Sequence, residues 1–116
     1  KLVGQIIFMP KKYARRIGIP TSRTNENLES TIVIGCLVVL REHWDKGIAS
    51  AMIGELLHFC KVHRYHRIEN CVDVRPPDKA GGSTSFSPFR KFGFIVDKTS
   101  QGWDSRPETR MCYCNI

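Results

Sequence analysis

Residues 37–59, LVVLREHWDKGIASAMIGELLHF, decide how this chain is read. An apolar run, Ile32–Leu40, stops at a charged turn, Arg41–Lys46, and Gly47-Ile48-Ala49-Ser50 then opens an amphipathic helix. The free N–H groups of a first helical turn point outward, and the helix dipole favours negative charge beside them. Gly47 lets the backbone come close to a ligand, and Ala49 adds little bulk. This is how a pyrophosphate cradle is built. An ordinary strand–helix junction with two small residues has the same pattern.

The flanking segments supply a frame. Thr31–Leu40 is β-branched and apolar throughout, so it reads as a central strand covered on both faces. Gly47–Tyr65 reads as the main helix, with Ile48, Met52, Ile53, Leu56, Leu57, Phe59, Cys60 and Val62 mainly on one stripe. His63, Arg64, His66 and Arg67 give it a basic end, which suits the dipole there. Ile68–Val74 is the next strand, and strand, helix and strand in this order predict one parallel βαβ crossover. Upstream, Leu2–Met9 reads as a strand ended by Pro10, and residues 10–30 as a long polar loop. Downstream, Pro76-Pro77 ends the crossover and Asp78–Ser85 is a Gly/Ser loop. A short helix over Ser87–Phe92, a strand over Phe94–Lys98, a polar turn over Gln101–Glu108 and a last strand over Thr109–Asn115 follow.

Composition bounds the function. At 116 residues and 41% hydrophobic, the chain is expected to be one domain, 1–116, with a single core. It has no apolar run of about 18 residues, so no membrane span is expected. Lys1–Phe8 reads as a strand rather than a secretory signal. Cysteines 36, 60, 71, 112 and 114 form an odd set without C-x-x-C spacing, and the first three sit in apolar segments. The expectation is a reduced, cytoplasmic protein with free thiols. His58, His63 and His66 have helical spacing without further ligands nearby, so no metal is expected. The net charge of +7 fits a solvated basic surface, a guide for an anionic ligand, or nucleic-acid binding. No aromatic–basic alternation supports the last of these, so a nucleic-acid partner is not expected.

Trp44-Asp45-Lys46-Gly47-Ile48-Ala49 resembles motif A of the GCN5-related N-acetyltransferases, R/Q-x-x-G-x-G/A, which follows a strand and starts a long helix. Trp44 stands where Arg or Gln is common, and Asp45 where Gly is common. An acid at position 45 is expected to turn outward and serve the helix N-terminus. Ser87-Pro88-Phe89-Arg90-Lys91-Phe92-Gly93-Phe94 is similar to the family's motif B, which ends Tyr-x-Lys-x-Gly-Phe. Lys91, Gly93 and Phe94 match. Gly93 also reads as a left-handed helix cap. Phe89 stands where a tyrosine hydroxyl commonly acts as general acid, and it has no proton to donate. Met9-Pro10, then Tyr13-Ala14-Arg15, then Cys36-Leu37-Val38-Val39 resemble a subgroup that carries a Pro-x-x-Tyr/Phe-Ala-x-Arg segment before the central strand.

The resemblance implies an α/β (α+β) fold. Its sheet is mixed and mostly antiparallel, with one βαβ crossover and helices packed on its faces. The family fold begins with a strand and two helices, so the chain is expected to be N-terminally truncated. The implied activity is acetyl-CoA-dependent transfer of an acetyl group to an amine by direct attack on the thioester. In the family the strand before motif A splays from its parallel neighbour, and the pantetheine arm lies in the gap. Carried over, Val38 and Leu40 would offer backbone groups to that arm. Lys46, Gly47, Ile48, Ala49 and Ser50 would offer N–H groups to the pyrophosphate, and Phe89 and Lys91 would also meet the cofactor. Asp73 is the candidate base and Tyr113 the candidate acid, with Glu42, His43, Ser85 and Ser87 as further titratable or hydroxyl groups near the site. If Phe89 lies at the thioester, a tyrosine there would supply the missing acid. The expected partners are acetyl-CoA and an amine acceptor, with homodimer formation left open. The alternative is a non-catalytic acyl-CoA-binding module that keeps the fold without turnover.

Overall fold

A computed structural model describes residues 2–76 and 85–116. Its elements are β1 (Gly4–Pro10), α1 (Lys11–Arg16), β2 (Thr31–Val39), a 3-10 turn (Arg41–His43), α2 (Ile48–Val62), β3 (Arg67–Asp73), α3 (Ser87–Arg90), β4 (Ile95–Val96) and β5 (Thr109–Asn115). The strands form one sheet in the order β1-β2-β3-β5-β4. Among the described strands only β2 and β3 run parallel; the other neighbouring strands are antiparallel. The expected crossover is therefore present, with α2 as its helix.

Side-chain alternation along the strands sorts the core into two layers. Ile32 and Ile34 of β2, Ile68 and Val72 of β3, and Cys112 of β5 join Ile53, Leu56 and Cys60 of α2 in one apolar cluster, together with Phe89 and Phe94. Each large side chain buried there contributes about 1.5–3 kcal/mol. The opposite face buries Val33, Met111 and Ala14 of α1, and also Thr31, Glu69, Asp73, Thr109 and Lys11. The second layer is thus held largely by polar contacts.

Several boundaries differ from the sequence reading. Residues 10–30 contain α1, whose one turn and a half carries too few apolar positions to show a period. Alpha-2 stops at Val62 because Arg64 turns left-handed, with φ +61°. The amide of Tyr65 then donates to Cys60 O and that of Arg64 to Lys61 O, the double bond of a Schellman cap with arginine in the usual glycine position. Alpha-3 is shorter than Ser87–Phe92 and β4 shorter than Phe94–Lys98. Gly93 has the expected left-handed backbone, φ +85°. Of the Gly/Ser loop, positions 78–84 lie outside the described residues. Among those described, no helix is long and apolar enough to cross a membrane.

Candidate active site

The parallel pairing of β2 with β3 covers only Thr31–Ile34 against Arg67–Asn70. Beyond that point β2 continues to Val39 and β3 to Asp73 without pairing each other, so the sheet opens between them. A cavity of about 50 Å³ marks the start of the gap, lined by Gly35, Cys36 and Leu37 on one side and Asn70 and Cys71 on the other. Ile19, Pro20 and Trp103 close it from two loops.

Which backbone groups face this gap follows from strand geometry. N–H and C=O of one residue point to the same side, and the side alternates along the strand. The Leu40 amide donates to Val3 O at 2.8 Å, and Val38 lies opposite Gln5. Val38 and Leu40 therefore turn their backbone groups toward β1, against the sequence expectation. Leu37 and Val39 turn theirs toward the gap. The expectation was one residue out of register.

The turn after β2 leads directly to the N-terminus of α2. Gly47, at φ +77°, is the N-cap, and a Cβ built on it meets nothing within 4 Å. The first helical bond runs from Ala51 N to Gly47 O at 2.9 Å. The amides of Ile48, Ala49 and Ser50 consequently have no helical acceptor and point out of the helix end. No side chain caps them and no acidic residue lies in the first turn. Lys46 is exposed beside them, so a cation flanks an open, positively polarised helix end. Asp45 is exposed and left-handed, with φ +62°, which Asp tolerates better than most residues. It turns outward as expected but does not cap the helix. This chain's residues thus fit an anionic diphosphate at the helix end and an amide-bearing arm in the gap.

The candidate acid–base residues are placed less favourably. Asp73 lies at the gap end of β3, but it is fully buried and held by Arg75, whose Nη2 is 2.6 Å from Oδ2. Arg106 Nη2 adds a longer contact at 3.5 Å. The Arg75 guanidinium keeps the Asp73 carboxyl below its ordinary range, which makes it a poor proton acceptor near neutral pH. Tyr113 lies opposite Glu69, four residues along the ladder from the Asp73–Thr109 pair. That is about 13 Å away, toward the closed end of the sheet. Its ring stacks under the Arg67 guanidinium, 4.1 Å from the centroid. The two residues do not form one site, and each serves the fold. The Ser85 hydroxyl accepts a hydrogen bond from the Ser87 amide at 3.2 Å and so supports the start of α3. Glu42 is exposed and His43 half-buried in the 3-10 turn.

Phe89 is fully buried against Phe94, edge to face at 5.1 Å. It is a core residue and does not line the gap, which corrects its assignment to the cofactor. Lys91 is exposed with its ammonium 5.7 Å from the Phe92 ring centroid. Phe92 in turn packs on Gly54, almost two turns along α2 from Gly47, which sets Lys91 apart from the helix N-terminus. Phe89→Tyr is accordingly expected to lower stability by about 1–3 kcal/mol, because its hydroxyl enters an apolar cluster. Turnover of the folded protein should stay level. Chemical denaturation and initial rates measure both, and a rate increase would return position 89 to the reacting atoms.

One network escaped the sequence. Lys11 is fully buried, with Nζ 2.9 Å from Glu69 Oε2 and 2.7 Å from Ser22 Oγ. Glu69 also accepts from the Ser22 amide at 2.8 Å and from Arg67 Nε at 2.9 Å. Burial alone would raise the Glu69 carboxyl, but the bonds from Ser22 and Lys11 outweigh it and hold it below the ordinary range. Burial lowers the Lys11 ammonium, and Glu69 opposes that shift. The network ties the segment after α1 to β3, and that segment carries Ile19 and Pro20 at the gap.

The opened βαβ unit with its bare helix end is the frame that sequence comparison assigns to a family. Residues 1–80 match the model of the Acetyltransferase (GNAT) family, and the chain belongs to that family. No curated protein matches the chain in sequence. Among solved structures, an IAA acetyltransferase from Bacillus cereus superposes with a TM-score of 0.69 at 11% identity, covering 100% of this chain and 71% of that one. A ribosomal-protein-alanine N-acetyltransferase from Brucella melitensis gives 0.69 at 14% identity, covering 100% and 63%. A Bacillus subtilis acetyltransferase in complex with CoA gives 0.65 at 12% identity, covering 100% and 70%. This chain therefore spans between 63% and 71% of these three proteins.

Proposed function

We propose that this chain is an acetyl-CoA-dependent N-acetyltransferase domain. The observation that carries the reading is the gap between β2 and β3 opening beside the uncapped amides of Ile48, Ala49 and Ser50. The gap would take the pantetheine arm against Leu37 and Val39, and the helix end would take the diphosphate. The family membership and a neighbour solved with CoA support the same cosubstrate. A neutral amine attacks the thioester carbonyl; the C–N bond forms, the C–S bond breaks, and the amine proton passes to water. The sulfur leaves as a thiolate. An unperturbed thiol pKa of about 8.5 makes that departure tolerable without an acid at Phe89. The chain's own contribution is then positioning and backbone polarity. Five free thiols support a reducing compartment for it.

A second reading, an acyl-CoA-binding module without turnover, is favoured by the pairing of Asp73 and the burial of Phe89. One experiment separates them. The protein is titrated calorimetrically with acetyl-CoA, then incubated with it and a panel of amines while free thiol is followed. The panel includes peptides with N-terminal alanine, because one neighbour's name gives a ribosomal-protein alanine as its acceptor. Binding with amine-dependent thiol release supports the enzyme. Binding without release across the panel supports the module. No binding at millimolar acetyl-CoA removes both.

A further inference from the structure

The carbonyl of Val39 faces the gap, yet it already has a partner inside the chain. The indole Nε1 of Trp44 donates to it at 2.8 Å. Val39 is the last residue of β2, past the end of the β2–β3 pairing, so no strand of the sheet takes this carbonyl. The indole is held over it from several directions. The His43 amide donates to Leu40 O at 2.8 Å and the Trp44 amide to Arg41 O at 3.1 Å, which fixes the turn. The Arg41 guanidinium lies 5.7 Å from the indole centroid. Trp44 remains 42% exposed, so the ring sits at the mouth of the gap and not in the core.

We infer that Trp44 is a latch on the acyl-carrier gap: its indole N–H occupies the Val39 carbonyl that the amide of an incoming pantetheine arm needs. The inference rests on the acyl-CoA reading of the gap and adds a step to it. Binding exchanges one hydrogen bond for another, so the ring must leave Val39 before the arm can settle. A tryptophan nitrogen is a donor only, and although the Val39 oxygen has two lone pairs, the indole stands on its gap side and so competes with a ligand N–H for the approach to it. Because the ring is half in solvent, release exposes little new apolar surface. Its cost is the net worth of one hydrogen bond, which corresponds to about a two- to tenfold penalty on affinity.

The test uses Trp44→Phe and the indole resonances of the whole chain. Phenylalanine keeps a ring at the mouth and removes the donor. Trp44→Phe is expected to bind acetyl-CoA about two- to tenfold more tightly than the parent by calorimetry. The chain has two tryptophans, so the indole signal lost in that variant assigns Trp44 in the parent. In the parent, saturating acetyl-CoA is expected to move the Trp44 indole signal and abolish its protection from hydrogen exchange. Unchanged or weaker affinity in the variant overturns the latch. So does a Trp44 signal that stays in place and protected while amides of residues 37–50 respond to acetyl-CoA. The resonance arm needs only the parent protein, so a poorly folded variant does not remove the test. If neither protein binds acetyl-CoA, the acyl-CoA reading itself fails and the latch falls with it.

Discussion

Gly47→Glu is expected to weaken acetyl-CoA binding by about 100-fold or more while leaving the fold standing. The argument begins at the backbone. Gly47 has φ +77° and open space where a Cβ would lie, so no neighbour must move to admit a side chain. A non-glycine residue in this left-handed position costs about 1–2 kcal/mol of stability, which a domain of ordinary stability survives. The carboxylate then stands among the amides of Ile48, Ala49 and Ser50, where it acts as an internal cap and fills the cradle. A diphosphate charge about 5 Å away would meet a repulsion of about 3 kcal/mol at an effective dielectric constant of ~20, a factor of roughly 100. Gly47→Ala isolates the backbone term: it carries the same strain and no charge, and should retain most of the affinity. Calorimetric titration and thermal denaturation of both variants give the answer. Equal losses would assign the effect to backbone strain. Unchanged binding in Gly47→Glu would place the diphosphate elsewhere.

The frame of this domain was legible because its signals are long and apolar. Thr31–Leu40 and the stripe of α2 could be nothing but a buried strand and the helix packed on it, and βαβ handedness then fixed the parallel pair. Gly47 was legible as a small residue opening the helix after a charged turn, and its positive φ came from the structure. The register of the gap was not. Whether Val38 or Val39 faces it depends on which amide β1 takes, and that is decided by the contact of Leu40 with Val3, far apart in the chain. Asp73 was placed at the correct end of the sheet, but its partners Arg75 and Arg106 come from two different loops, and they convert a candidate base into a paired structural acid. Phe89 stands at the motif position where tyrosine is common, yet the packing of α3 on α2 turns its ring into the core. Lys11 offered least of all: nothing in PKKYARR signals that one of its cations is fully buried, since lysine is almost never buried without a partner and the partner lies in β3.

Glu69→Ala is expected to be the most destabilising single change considered, at about 3–5 kcal/mol, because it leaves the Lys11 ammonium buried without its counter-charge. Against a typical domain stability of about 5–15 kcal/mol, that brings the chain close to unfolding. The loss does not measure the net worth of the ion pair, since removing both charges removes most of the penalty. Lys11→Met combined with Glu69→Leu should recover the larger part of it, leaving the lost bonds to Ser22 as the remainder. The pH dependence gives a second, independent signature. In the parent, Glu69 titrates below its unfolded value, so the folded state binds fewer protons than the unfolded one as the carboxyl ionises. Its stabilisation is complete above the unfolded carboxyl value of about 4.3 and declines as pH falls below it. In Glu69→Ala that acid-side loss disappears, and Lys11, already lowered by burial and now without its carboxylate, governs the curve from the alkaline side. A lysine that binds its proton less readily when folded makes stability rise with pH, so Glu69→Ala should gain stability between neutral pH and the unfolded lysine value of about 10.4. Urea denaturation at a series of pH values follows both limbs. A flat alkaline limb would mean that Lys11 reaches solvent once Glu69 is gone, and that the second layer of the sheet relaxes instead of holding a bare charge.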